Sequence, residues 1–279
     1  MSYTMTVAVS HPPNAAAILG ALGHDVRGGE SLARSDWPET LVHLYRASMS
    51  TRGIEIECKG TALSIKMVAC TNHADWDLAF TLFEAVGASP IEGEDGTTAV
   101  LSHVREGFAE VMARELSSSI STLHALIEQG KDIQLTGAVR KVYFGRRMLR
   151  EIGQDPEAML ERIRRIQYLE DEGFQFVEYS NLSAMMRLTV DLGFSIWDPK
   201  RDQAFAATTH LALFSDKKLH VPLTALPEVV GTRFAWLDEE QFTIVATPAE
   251  EIAQLIERAE RFAFNPYAKL NKKWWQFWK

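Results

Sequence analysis

The sequence predicts an α+β protein built from two mixed or antiparallel-sheet units, each with packed helices. Three observations carry that expectation. One hairpin can be read residue by residue, several helices are bounded by caps, and short β-like stretches crowd the second half of the chain.

The hairpin comes first because pattern and turn agree. Residues 54–59 (IEIECK) and 62–69 (ALSIKMVA) alternate apolar and polar residues on either side of Gly60-Thr61. A two-residue turn that opens on glycine is a type II′ signal, and it sets the register. Ile54 then faces Met67, Ile56 faces Ile65 and Cys58 faces Leu63 on an apolar side. Glu55 meets Lys66 on the other, an opposite-charge cross-strand pair.

Upstream, Thr6 to Ser10 reads as a short strand stopped by Pro12-Pro13. Asn14 caps a helix over Ala15 to Leu22, with Gly23 as its stop. Residues 24–40 read as loop and Leu41 to Arg46 as a strand. After the hairpin, Thr71 or Asn72 caps a helix to about Val86, closed by Gly87, with a broad apolar face. Ser89 to Gly96 is an acidic loop. From Val104 to Gln129 apolar residues keep helical spacing. The Ser117 to Ser119 run offers a place to split that stretch, since serine competes for backbone hydrogen bonds.

Gly130 and Gly137 bracket the expected boundary, giving a first unit over 1–130, a second over 131–264 and a tail over 265–279. The second unit opens with a strand over Ala138–Phe144 and a short helix over Arg146–Ile152. Asp155, with Pro156 at the first helical position, starts another helix to about Glu170. β-like stretches follow at Phe174–Tyr179, Met186–Ile196, Phe205–Phe214, Phe234–Leu237 and Phe242–Ala246. Thr247-Pro248-Ala249-Glu250 reads as a capping box for a helix to about Phe262. Ile65–Cys70 and Phe242–Ala246 each run into such a helix, an echo compatible with a distant internal duplication.

Composition narrows the function classes. The chain has 279 residues, 46% hydrophobic and 24% charged, as a globular protein with a core has. Its net charge of −8 repels phosphate backbones, so general nucleic-acid binding is disfavoured. No lysine or arginine precedes Arg27, so the basic start of a secretory signal is missing. Ala15 to Gly23 is far shorter than the ~20 residues of a membrane helix. Cys70 lies about seven residues along the strand from the partner of Cys58, roughly 23 Å, and on the opposite face. A disulfide needs Cα atoms within ~7 Å, so two free thiols in a reducing, cytoplasmic setting are expected.

Thr51-Arg52-Gly53-Ile54-Glu55, followed by Asp75-Trp76-Asp77-Leu78-Ala79-Phe80, resembles an uncharacterised bacterial protein family of unknown function. The resemblance covers about residues 50–90. It implies a bacterial origin and no chemistry.

Reactive constellations are scarce. The eight histidines form no His-Glu-x-x-His or His-x-His, and no Cys-x-x-Cys occurs. His73 and Asp75 at a helix start read as cap chemistry; His210 and His220 flank a turn. No Gly-x-Ser-x-Gly elbow is present. Cys58 falls on the apolar side of the hairpin as a core thiol. Cys70 ends a strand just before a helix N-terminus that would lower its pKa. Gly20, Gly23, Gly28 and Gly29 lack nucleotide-loop spacing, and Glu92, Glu94 and Asp95 read as solvated. No catalytic, metal or cofactor-binding residue is assigned, and no cofactor is expected.

Two segments remain as partner-binding candidates. Arg140 to Arg165 is locally basic, with Arg146 and Arg147 at its centre, in a chain that is acidic overall. The C-terminus, Lys269 to Lys279, holds three of the seven tryptophans. Drawn as a helix it sets Trp274, Trp275, Phe277 and Trp278 on one side and Lys272 and Lys273 on the other. Such a segment suits a partner groove, a membrane interface, or its own acidic body.

The leading expectation is therefore a non-enzymatic bacterial cytoplasmic protein that binds another protein, neutralising it as an immunity protein would or escorting it as a chaperone would. The alternatives are an enzyme with a site near Cys70, His73 and Asp75, or a peripheral membrane protein docking through the tail.

Overall fold

A computed structural model describes residues 2–9, 15–28, 41–87, 91–93, 96–177, 180–181, 193–206, 208, 210–215 and 219–265. The arrangement is α+β, and the chain divides into compact units at Tyr168 and Leu169.

In the first unit, β1 (Ser2–Ala8) is followed by α1 (Ala15–Leu22), β2 (Val26–Arg27) and β3 (Val42–Arg46). The expected hairpin is formed by β4 (Ile54–Lys59) and β5 (Ala62–Val68). Its register is Glu55↔Lys66, Ile56↔Ile65 and Cys58↔Leu63, with the Lys66 ammonium 3.2 Å from the Glu55 carboxylate. Gly60 sits at φ +60, the left-handed region that a tight two-residue turn requires. Then come α2 (His73–Ala85), β6 (Ile91–Gly93) and β7 (Thr98–Ala99), completing a sheet in the order β2-β3-β4-β5-β1-β6-β7. Alternation decides the faces. Ile54, Ile56, Leu63 and Ile65 are fully buried, as are Leu78, Leu82 and Phe83 of α2, which packs against β3, β4 and β5.

α3 (Leu101–Glu128) runs unbroken through Ser117–Ser119, contrary to the split the serines suggested. The Ser121 and Thr122 hydroxyls donate to the carbonyls of Ser117 and Ser118 four residues back, which satisfies them inside the helix. The buried stripe Met112, Leu116, Ile120, Leu123 and Ile127 keeps the register through that stretch.

The boundary expected near residue 131 is not where the units part. β8 (Ile133–Thr136) and β9 (Lys141–Phe144) form a hairpin, and α4 (Arg146–Ile152) and α5 (Pro156–Gln167) pack on α3 within the first unit. Asp155 caps α5 through bonds from the Glu157 and Ala158 amides, with Pro156 at its start. Local composition could not reveal the tie. The Ala138 amide donates to Thr51 O at 3.1 Å, and the Tyr168 hydroxyl to Arg46 O at 3.0 Å.

The second unit holds two four-stranded sheets. One is ordered β10 (Gln175–Val177), β13 (Gln203–Phe205), β17 (Phe242–Ile244), β16 (Phe234–Trp236). The other is ordered β11 (Ser180–Asn181), β12 (Gly193–Trp197), β14 (His210–Leu213), β15 (Leu219–Pro222). The stretch expected as one strand over Phe205–Phe214 is thus divided between two sheets. β15 and the short α6 (Leu226–Val230) were not expected. The core joins Trp197, Phe205, Leu211, Val221, Leu226, Phe242, Ile244 and Leu255.

α7 (Ile252–Phe262) ends where expected, but the predicted capping box does not form. A turn of 3-10 helix over Ala249–Glu251 precedes α7, which starts without a side-chain cap. Thr247 is buried instead, its amide bonded to Pro199 O at 2.7 Å. The expected cap at Asn14, Glu94 and Asp95 of the acidic loop, and residues 266–279 of the Trp/Lys tail lie outside the described residues. Among the described residues no helix is long and apolar enough to cross a membrane.

Candidate functional site

Two places gather the residues singled out by the sequence. The first lies at the start of α2. Asn72 caps it through its side-chain oxygen, which accepts from the Asp75 amide at 3.2 Å, while the Asp75 carboxylate accepts from the Asn72 amide at 3.0 Å. This is a capping box, but an unusual one because Asp75 is fully buried. Its carboxylate also accepts from the Arg52 amide at 3.2 Å and the Gly53 amide at 2.9 Å. The Thr51 hydroxyl stands 3.0 Å from it and 2.7 Å from Cys70 O, and can donate to either.

Arg52 closes the knot. Its side chain is 7% exposed, and Nη1 donates to Ala69 O at 2.8 Å. Burial pushes its pKa down, opposed by the neighbouring Cys70, Asp75 and Glu55. Gly53 is required here: at φ +70 a Cβ would run into the Leu44 carbonyl and the His43 ring.

These contacts show what the Thr51-Arg52-Gly53 and Asp75 motif does locally. It ties the β3–β4 connection to the head of α2. Cys70 takes part through its backbone carbonyl, and its thiol lies close enough to Arg52 for their charges to interact. The thiol is 3% exposed, and burial raises its pKa to about 11, outweighing the lowering expected from a helix N-terminus. The cavity beside it, lined by Tyr3, Cys70, Trp76 and Met112 among others, measures about 20 Å³, room for about one water. His73 is exposed and packs its ring edge-on against Phe108 at 5.6 Å. Cys70, His73 and Asp75 are neighbours that do not converge on a space where a substrate would sit.

Both cysteines are free and buried. At pH 8, native protein is therefore expected to resist thiol labelling at both positions, and guanidinium-unfolded protein to label at both. Intact mass without reductant checks the pairing; a bridge between Cys58 and Cys70, or rapid native labelling of Cys70, contradicts the geometry. The pH dependence has a definite sign. Unfolded Cys70 releases its proton near 9.0 and the folded thiol near 11, so stability falls as pH rises through that window.

The second place is a groove of about 510 Å³ between α3 and α4, lined by His124, Ile127, Glu128, Arg146, Leu149 and Arg150. Arg146 and Arg150 stand one turn apart on α4 and are exposed. The rest of the basic segment is largely committed. Arg162 pairs with Glu151 and Arg164 with Glu161, both at 2.6 Å, and Arg140 donates to Ile166 O at 2.9 Å. The Arg164 hydrogen bond holds the Glu161 carboxyl below its usual range. Arg147 is half-buried and already engaged. Among the described residues, neither Arg146 nor Arg150 forms an ion pair with a carboxylate. His124 Nε2 meets Gly153 O at 3.0 Å, which fixes its ring beside them.

The sequence profile of a family described as a domain of unknown function, DUF4299, matches residues 24–171. The chain belongs to that family. The matched region covers more than half the chain and ends three residues past the division between the units. Both the Asp75 knot and the α3–α4 groove therefore lie inside the family's region. The earlier resemblance over residues 50–90 falls within it too. No curated protein and no solved structure matches the chain.

Among the described residues no group of three or more His, Cys, Asp or Glu is placed to hold a metal. Trp274, Trp275, Phe277, Trp278, Lys272 and Lys273 lie outside the described residues. Sequence reasoning overlooked the exposed Ile196 and Phe214 of the second unit. Phe194-Ser195-Ile196-Trp197 has large apolar residues at both parities, so period-two alternation cannot say which face is buried.

Proposed function

We propose that this DUF4299 protein is a non-enzymatic bacterial interaction protein of the cytoplasm, and that its α3–α4 groove takes an acidic segment of a partner protein. One observation carries the reading: two exposed arginines, with no carboxylate partner among the described residues, flank an apolar floor of Ile127 and Leu149. Guanidinium groups one turn apart match carboxylates as forked, charge-assisted donors. A protein of net charge −8 repels acidic chains in general, so attraction at this one patch makes docking selective. Glu128 on the opposite wall disfavours acidic side chains on its own side and so orients the segment. Neutralising or escorting another protein is the kind of role such a surface suits.

The test uses a fluorescent peptide alternating Glu and Leu, titrated with the full chain. Arg146→Glu with Arg150→Glu is expected to weaken binding roughly tenfold or more, since a charge-assisted contact is worth about 1.5–3 kcal/mol. Arg164→Glu, which removes an arginine already paired on the surface, is expected to change it little. Affinity should also fall with added salt, as screening shortens to about 8 Å at physiological ionic strength. Equal affinity of the double variant and the native chain sinks the proposal.

A further inference from the structure

The second unit carries an outward sheet face that lines up with the point where the chain leaves α7. β12, β14 and β15 turn Ser195, Trp197, Leu211, Leu213 and Val221 toward the core. The opposite face carries Ile196, level with Ala212, which is level with His220. Phe264 completes the row through an antiparallel bridge to His220, its amide donating to His220 O at 3.1 Å. The Phe264 ring also lies on this face, 5.1 Å from the ring of His210 and 6.5 Å from that of His220. The chain after α7 has therefore already turned onto the sheet.

Direction follows from the register. Because the bridge is antiparallel, the chain at Phe264 points toward the Leu219 end of β15, and Leu219 is paired with Leu213. That end of β15 is the one beside which Phe214 follows β14. Phe214 is 71% exposed and Ile196 53% exposed, large apolar side chains with no cover among the described residues. They flank a groove of about 430 Å³ together with Phe176 and Val177, and Asp198 and Arg201 stand at its rim. From the edge beside β15, Phe214 is two strand spacings away, about 10 Å.

We infer that this groove is the seat of the chain's own C-terminal segment, residues 266–279. That segment supplies what the groove lacks: three tryptophans and a phenylalanine to cover Ile196 and Phe214. Fourteen residues span at most about 46 Å when extended, several times the distance needed. The volume is of the size that accepts one or two aromatic side chains. The four lysines of the tail are left at the polar rim and in solvent, where an acidic protein favours them. The seat lies in the second unit and is independent of the α3–α4 groove, so either assignment can fail without the other.

The experiment places p-benzoylphenylalanine at position 214 of the full chain, irradiates dilute protein and maps the crosslinks by peptide mass. Crosslinks within one chain to peptides from 266–279 are the expected result. Crosslinks that join two chains and grow with concentration, or that reach only other segments, overturn the assignment. Hydrogen exchange of the full chain supplies the second measurement. Phe214→Asp and Ile196→Asp, both at exposed positions, should raise exchange in 266–279 roughly tenfold while the core strands stay protected. A tail that exchanges at the unprotected rate in the native chain, or whose exchange neither variant alters, overturns it equally.

Discussion

Asp75→Ala is expected to destabilise the first unit by about 3–5 kcal/mol, the range for leaving a buried charge without its partner. The change strips an acceptor from the Arg52, Gly53 and Asn72 amides at once and leaves the buried Arg52 guanidinium without the nearby Asp75 charge. Unpaired buried donors add their own desolvation penalty. In a unit of this size each kcal/mol moves the melting temperature by about 2–4 °C, so a fall of roughly 10 °C or more should be seen. Asp77→Ala, two residues along the same helix, is the internal control. Asp77 is half exposed, and its pairings with Arg46 and Arg105 at 3.3 Å are surface pairs, worth about 0–1 kcal/mol. Asp75→Asn should fall between the two, because the amide keeps the shape but loses the charge. Equal melting temperatures for Asp75→Ala and Asp77→Ala would mean that the knot contributes nothing to stability. Calorimetry on the three variants settles the comparison.

The second large effect is expected at Ile56→Asp. Ile56 is fully buried opposite Ile65, on an interior strand next to the central one of the seven-stranded sheet. The substitution forfeits about 1.5–3 kcal/mol of burial and forces a carboxylate into an apolar layer, costing several kcal/mol more unless it protonates. Against a total stability of about 5–15 kcal/mol, the first unit should unfold or melt far lower. Glu55→Gln, one residue away on the other face, removes a cross-strand ion pair worth about 0.2–1 kcal/mol and the smallest of the three charge interactions that support Arg52. Denaturant titration of both variants checks it. Similar midpoints would show that the two faces of the hairpin are not distinct.

These two positions also mark how far the sequence reads. Ile56 was legible because a hairpin is a local object. Turn, alternation and cross-strand charge all lie within fifteen residues, and they agree. Asp75 was legible only as a cap. That its carboxylate also gathers the Arg52 and Gly53 amides depends on β3–β4 passing over the head of α2, a contact more than twenty residues distant in sequence. Cys70 failed in the same way. The helix start beside it was readable, but its burial was not, and burial outweighs the dipole.

The basic segment shows the same limit from the functional side. Charge counting found Arg146 and Arg147 together, yet only packing separates them. Arg146 lines a groove with Arg150, whereas Arg147 is half-buried and engaged. Arg162 and Arg164 are held by ion pairs with Glu151 and Glu161, and which arginines lack a carboxylate partner among the described residues is a matter of helix orientation.

By itself the sequence determined the α+β class, the hairpin register, the Asn72 and Asp155 caps and the absence of a disulfide. Each rests on interactions within a few residues of one another, where spacing and side-chain chemistry suffice. Only the tertiary structure decided that residues 133–167 belong with the first unit, that α3 runs unbroken, and that Thr247 is buried rather than capping α7. It also decided which apolar residues of β12 and β14 face outward. In each of those cases local preference is weak, worth a fraction of a kcal/mol for a mid-helix serine and about 1 kcal/mol for a cap, and the burial gained against a distant element exceeds it.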